Sequence, residues 1–197
     1  MNKVCSTRRI TTQELVFCAL FTALIAVGAF IKIMIPLGAF AVTFSLQFFF
    51  ALMAGFLLGP RNGFLSVALY LFIGLIGIPI FAHGGGFGYL LKPTFGFLIG
   101  FAAAAFVVGL LTPNIRTMSV PQLIGAAFVA ELAYYACGLV YYFIMFNYVV
   151  PGAAGIRLAE LMSVWFLSTV LPDFALCVLA AFAVHRLRPH HFVRCRR

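Results

Sequence analysis

Residues 15–35 carry one charged side chain, Lys32, and the same scarcity of charge returns in five later stretches. Apolar runs of about 17 to 25 residues are long enough to cross a hydrocarbon layer of roughly 30 Å as helices. Backbone in lipid must satisfy its own hydrogen bonds, which leaves helices or a closed barrel, and continuous apolar runs do not alternate as barrel strands do. Of 197 residues, 64% are hydrophobic and 9% charged. So few polar side chains cannot cover a water-soluble surface. The sequence therefore specifies an all-α integral membrane protein, a single membrane domain over residues 1–197 with short basic tails.

Breaks at proline, glycine and charge divide the chain into six expected transmembrane helices: 15–35, 43–58, 64–78, 95–111, 123–148 and 161–184. "LGPRNG" at 58–63 and "LTPNIRTMSVPQ" at 111–122 are the turn-rich connectors. The basic stretch "MNKVCSTRRITTQE" precedes a run too long for the core of a secretory signal, so that run reads as the first span. Six spans place both termini on one side. That side collects Lys3, Arg8, Arg9, Arg61, Arg116, Arg186, Arg188, Arg194, Arg196 and Arg197, against Lys32, Lys92 and Arg157 on the other. The excess marks the termini as cytoplasmic.

The same distribution accounts for the net charge of +9: basic residues just outside apolar runs serve orientation and contact with anionic lipid heads, not nucleic acid. Cys5, Cys18, Cys137, Cys177 and Cys195 form no C-x-x-C pair and read as free thiols. His83, His185, His190 and His191 form no H-E-x-x-H motif. No metal, cofactor or catalytic residue is expected, and no P-loop is present to make the chain an ATPase.

The chain has four acidic residues. Glu14 and Glu160 stand at helix starts, where an acid complements the positive end of the macrodipole. Glu131 and Asp173 fall near mid-bilayer depth, where a charged carboxylate costs about 2.5 to 3.5 kcal/mol on insertion scales and must face a cavity or a partner. An interhelical hydrogen bond is the structural role open to both. Asp173 follows Pro172, whose ring lacks an amide donor and frees the carbonyl of Ser168, so "VLPDF" offers an unpaired acceptor and a carboxylate together. These groups suit a ligand that donates hydrogen bonds.

"HGGGFG", with His83 and Gly85, interrupts the apolar pattern but lacks the spacing of a phosphate or dinucleotide loop. Glycine backbone can fold tightly over a cavity, offer N–H groups to a solute and move as a lid. Lys92 at its end is placed to attract an anionic group, or to snorkel toward head groups. Gly96, Gly100 and Ala104 form a small-residue ridge for helix packing, and Ala19 with Ala23 forms a second, for internal packing or for another subunit. Tyr141 and Tyr142 suit an apolar cavity wall with a polar tip.

"VTFSLQ" with Gln47, "AGFLLGPRNGFLSVALYLFIGLIGIPIFAHGGG", "YLLKPTFGFLIGF" and "LPDF", in this order, resemble the BioY family, the biotin-specific membrane subunits of energy-coupling factor transporters. The resemblance covers almost the whole chain. It implies a six-helix substrate-binding subunit in a bacterial-type cell membrane, taking biotin from outside as transported ligand. A transmembrane coupling subunit and two cytoplasmic ATPase subunits are its implied partners. Ala19 and Ala23 match the family's coupling-subunit contact, and the loop after helix 3 and Asp173 match its binding region. Biotin's ureido N–H donors suit a carboxylate, its thiophane ring an aromatic wall, and its valerate carboxylate a cation. The chain departs from the family at Leu176, where a lysine is frequent, and at Thr43, where proline is common. The lost lysine leaves Lys92, Lys32 or Arg157 as expected counter-charges. Alternatives are a subunit for another small vitamin, a solitary oligomeric biotin transporter, an intramembrane enzyme and an assembly scaffold.

Overall fold

The computed structural model describes residues 11–37, 40–82, 84–149 and 167–187. Helix α1, Thr12–Phe30, opens on a capping box. The Thr11 amide donates to Glu14 Oε2 at 2.9 Å, and the Glu14 amide donates to Thr11 Oγ1 at 3.3 Å. Glu14 is thus the cap that its position suggests, while Glu160 lies outside the described residues. The helix ends five residues before the expected boundary. In "IKIMIPL" the β-branched isoleucines and Pro36 favour extended chain, and strand β1, Lys32–Leu37, pairs antiparallel with β2, Phe40–Ser45. The bundle is all-α, with this one hairpin inserted after its first helix.

The expected helices 43–58 and 64–78 become two arms of one run, α2, Gln47–Leu75. Residues 43–45, expected at the start of a helix, belong to β2. The arms meet at Gly59, with φ 84° and ψ −179°, a conformation that glycine adopts without steric cost. Pro60 follows, and its fixed φ suits the first turn of the second arm. A Cβ on Gly63 would stand 2.8 Å from Gly55 Cα, so the chain reverses with backbone against backbone. What the sequence marks as a polar connector is therefore a sharp helical reversal.

Helix α3, Phe95–Leu111, keeps its expected bounds. A Cβ on Gly100 would lie 2.7 Å from the Tyr134 carbonyl, and one on Gly96 would meet the Tyr141 side chain. The Gly96, Gly100 and Ala104 ridge is a packing surface, as expected, and it seats α3 on α4, Val120–Ile144. Helix α4 starts with Pro121 in its first turn and a Ser119–Gln122 capping box, and continues as a π-helical turn, Met145–Val149. Helix α5, Leu167–Leu187, runs antiparallel to α4, since Tyr135 meets Asp173 and Ala127 meets Cys177. Residues 161–166, expected to begin this helix, lie outside the described residues. Among the described residues, four helices are long and apolar enough to cross a membrane by length and composition: α1, α2 taken as one run, α4 with its π-helical turn, and α5 from Thr169. Helix α3 is a shorter apolar helix.

These connections give the bundle two ends. Gly59, the 112–119 connector and the end of α5 share one, with Arg61, Arg116 and Arg186. The hairpin and the loop from Ile76 to Thr94 share the other, joined where Lys32 Nζ donates to the Ala82 carbonyl.

Candidate functional site

Two polar groups meet inside the bundle on the facing sides of α4 and α5. Glu131 and Tyr135 are one turn apart on α4, and Thr169, Asp173 and Cys177 are spaced by single turns on α5. Asp173 is 7% exposed and turned inward, and its Oδ2 accepts the Tyr135 hydroxyl at 2.6 Å. The same phenol lies 2.7 Å from Thr169 Oγ1. Glu131 is 0% exposed; its Oε2 accepts from the Cys177 thiol at 3.5 Å, while Oε1 is buried without a hydrogen-bond partner. The interhelical role expected for both acids is therefore present, strongly for Asp173 and through a weak thiol donor for Glu131. Among the described residues no group of three or more His, Cys, Asp or Glu is placed to hold a metal ion.

Among the described residues Asp173 meets a phenol rather than Lys92 or Lys32, two of its three expected counter-charges. Lys92 and Lys32, nominated as counter-charges, both serve the loop, where Lys92 Nζ stands 4.4 Å from the Tyr89 ring centroid and Lys32 holds the Ala82 carbonyl. A neutral phenol donates to Asp173 Oδ2 in their place, which meets one carboxylate oxygen without burying a second charge. Leu176 packs partly buried against the main core. Arg157 lies outside the described residues.

Aromatic rings pack between this pair and the loop. Tyr134 stacks on Phe48 at 4.9 Å and on Phe101 at 5.2 Å, and meets Tyr135 edge-on at 4.9 Å. Tyr135, Phe97, Leu139 and Tyr142 form one buried cluster, with Tyr142 stacked on Phe146 at 5.7 Å. Tyr142 lies two turns beyond Tyr135 along α4, about 10 Å at 1.5 Å per residue. Its neighbour Tyr141 donates to the Leu90 carbonyl at 2.6 Å, which fixes that end of α4 beneath the loop.

The loop is folded on itself. Phe81 is its buried anchor, against Tyr70, Tyr89 and Phe95. The Gly84 amide donates to the Phe81 carbonyl and the Gly86 amide to the Gly74 carbonyl at the end of α2, so these two N–H groups are used by the protein rather than offered to a solute. Gly85 packs by its missing side chain, since a Cβ there would meet the Ile78 carbonyl. His83 lies outside the described residues. Gln47 is buried and belongs to the same assembly: Ser45 Oγ donates to its Oε1 at 3.3 Å, its Nε2 donates to Tyr70 Oη at 2.6 Å, and Tyr70 donates to the Ile80 carbonyl at 3.2 Å.

The nominated residues thus fall into groups. Asp173 and Tyr142 share the aromatic seam of α3, α4 and α5, whereas Gln47, Gly85 and Lys92 belong to the loop and its supports. Ala19 and Ala23 are exposed on α1, away from both. Sequence reasoning passed over Tyr135, Thr169, Tyr70 and Phe81. For Tyr135 and Thr169 a signal existed, because each stands four residues from a buried acid on its own helix.

Comparison with known proteins is consistent along the whole length. The BioY family model matches residues 1–191. A probable biotin transporter BioY of Lysinibacillus sphaericus is 40% identical over 177 residues, covering 90% of this chain and 87% of that protein. The biotin transporter BioY of Thermotoga maritima is 37% identical over 177 residues, covering 89% and 96%. The crystal structure of the S-component for biotin from an ECF-type ABC transporter superposes with a TM-score of 0.78 at 27% identity, covering 93% of this chain and 97% of that one. With its inward-facing acid, aromatic seam and glycine loop, and with this agreement from end to end, the chain belongs to the BioY family.

Proposed function

We propose that this protein is the biotin-binding membrane subunit of an uptake transporter, a carrier component and not an enzyme. The observation that carries the reading is Asp173. A carboxylate at this depth is tolerated where hydrogen-bond donors meet it, and a ureido N–H is such a donor. Relatives matched over nearly their full length carry the name biotin transporter.

In the proposed pose the ureido ring donates to Asp173, the thiophane ring lies against Tyr142 and its aromatic neighbours, and the valerate carboxylate points toward Lys92. The separation of Arg61, Arg116 and Arg186 from Lys32 and Lys92 supports six spans with cytoplasmic termini and a loop that faces outside, in a bacterial-type cell membrane. His83 and Gly85 are proposed as elements of the entry, with Gln47 supporting it from below. Energy is proposed to come from partners: a transmembrane coupling subunit docking on Ala19 and Ala23, and two ATPase subunits. Equilibrium binding of labelled biotin to the purified full chain in lipid nanodiscs tests this. Affinity tighter than micromolar is expected, with a loss of at least about tenfold in Asp173→Ala. Affinity no tighter than micromolar in the unaltered chain would overturn the reading.

A further inference from the structure

The buried phenol between α4 and α5 has a role that packing alone does not require. Tyr135 carries one proton. With that proton directed at Asp173 Oδ2, the Thr169 hydroxyl supplies the second hydrogen bond, to the phenol oxygen. Thr169 and Asp173 lie one turn apart on the same face of α5, so the phenol is held at two points of one helix. Its ring is also fixed, edge-on to Tyr134 and packed with Phe97, Leu139 and Tyr142. The donor therefore has little freedom, and the carboxylate that receives it is constrained in turn. Among the described residues Asp173 has no other hydrogen bond. One oxygen is occupied and the other has no described donor.

We propose that Tyr135, locked by Thr169, is a positioning residue for ligand recognition: it occupies one oxygen of Asp173 and orients the other toward a single N–H donor of a cyclic urea. This deepens the reading given above and rests on Asp173 as the ligand's acceptor. The geometry of the ligand class agrees. The two N–H bonds of a five-membered cyclic urea diverge on opposite flanks of its carbonyl, so one carboxylate accepts from only one of them. A fixed single oxygen is sufficient for that donor, and a freely rotating carboxylate would lose orientation entropy on binding it.

The test compares labelled biotin with an analogue methylated on both ureido nitrogens, which keeps the rings and valerate but has no N–H to give. Tyr135→Phe, Thr169→Val and Asp173→Ala are made in the full chain. Tyr135→Phe is expected to weaken biotin about tenfold and to shrink the preference for biotin over the methylated analogue by a similar factor. Thr169→Val is expected to move both quantities the same way by less, and it keeps the test open if Tyr135→Phe does not fold. Equal weakening of both ligands would mean that the phenol only supports the fold, and would overturn the proposal. Unchanged biotin affinity in Tyr135→Phe and Thr169→Val, with a loss in Asp173→Ala, would remove the positioning role and leave Asp173 as acceptor. Unchanged affinity in Asp173→Ala would overturn the acceptor reading itself, and the proposal with it.

Discussion

Gly55 shows how closely the helices approach one another. A Cβ there would meet the Ala105 backbone and the Val108 side chain of α3, and backbone cannot move aside as a side-chain end can. Gly55→Ala is expected to destabilise the bundle by about 1 to 3 kcal/mol, as overpacking does. Gly125 is the control, because it is exposed on α4 with nothing within 4 Å of its Cβ position, and Gly125→Ala is expected to change stability by no more than about 0.5 kcal/mol. Thermal unfolding of both variants in the same detergent measures the difference, and equal midpoints would contradict the packing argument. At this scale the sequence was partly legible. The ridge from Gly96 to Ala104 could be read from its spacing, but Gly55 and Gly63 pack only because the chain reverses at Gly59.

The loop between α2 and α3 is the element on which sequence and structure differ most. Its glycines read as a mobile cover, yet its own amides close its turns and Phe81 roots it among Tyr70, Tyr89 and Phe95. The chain Ser45–Gln47–Tyr70–Ile80 ties it to β2 and to both arms of α2, and Lys32–Ala82 ties it to β1. The hydroxyl of Tyr70 is the shared member, accepting from Gln47 and donating to Ile80. Tyr70→Phe removes both bonds at constant ring packing and leaves the buried Gln47 amide one partner short. A net hydrogen bond contributes about 1 kcal/mol. Hydrogen exchange is therefore expected to show faster exchange of the Gly84 and Gly86 amides in Tyr70→Phe, with α3 and α4 unchanged. Unaltered loop protection would mean that the Tyr70 hydrogen bonds do not hold the loop. Gln47 could be singled out in the sequence, but its partner stands 23 residues away, and no local pattern announces that contact.

For the whole molecule the question is which face is open to another membrane helix. Helix α1 exposes Leu15, Val16, Ala19, Leu20, Ala23 and Val27 while burying Cys18, Phe21 and Ile25. Small residues amid larger ones on such a face allow another membrane helix to approach closely. Ala19→Trp is expected to reduce biotin uptake by cells at least tenfold while leaving equilibrium binding by the purified chain unchanged. Uptake at the normal level would exclude this face as the coupling contact. The sequence by itself determined the solvent: lipid acts on each segment through its length and composition, and those are read directly from the chain. It also marked the two costly acids, because the penalty for a carboxylate in hydrocarbon belongs to the residue wherever it stands. Only the tertiary structure decided which donor meets Asp173. That depends on the rotation of α4 against α5, which brings Tyr135 across 38 residues of chain to a carboxylate for which the sequence suggested Lys92, Lys32 or Arg157.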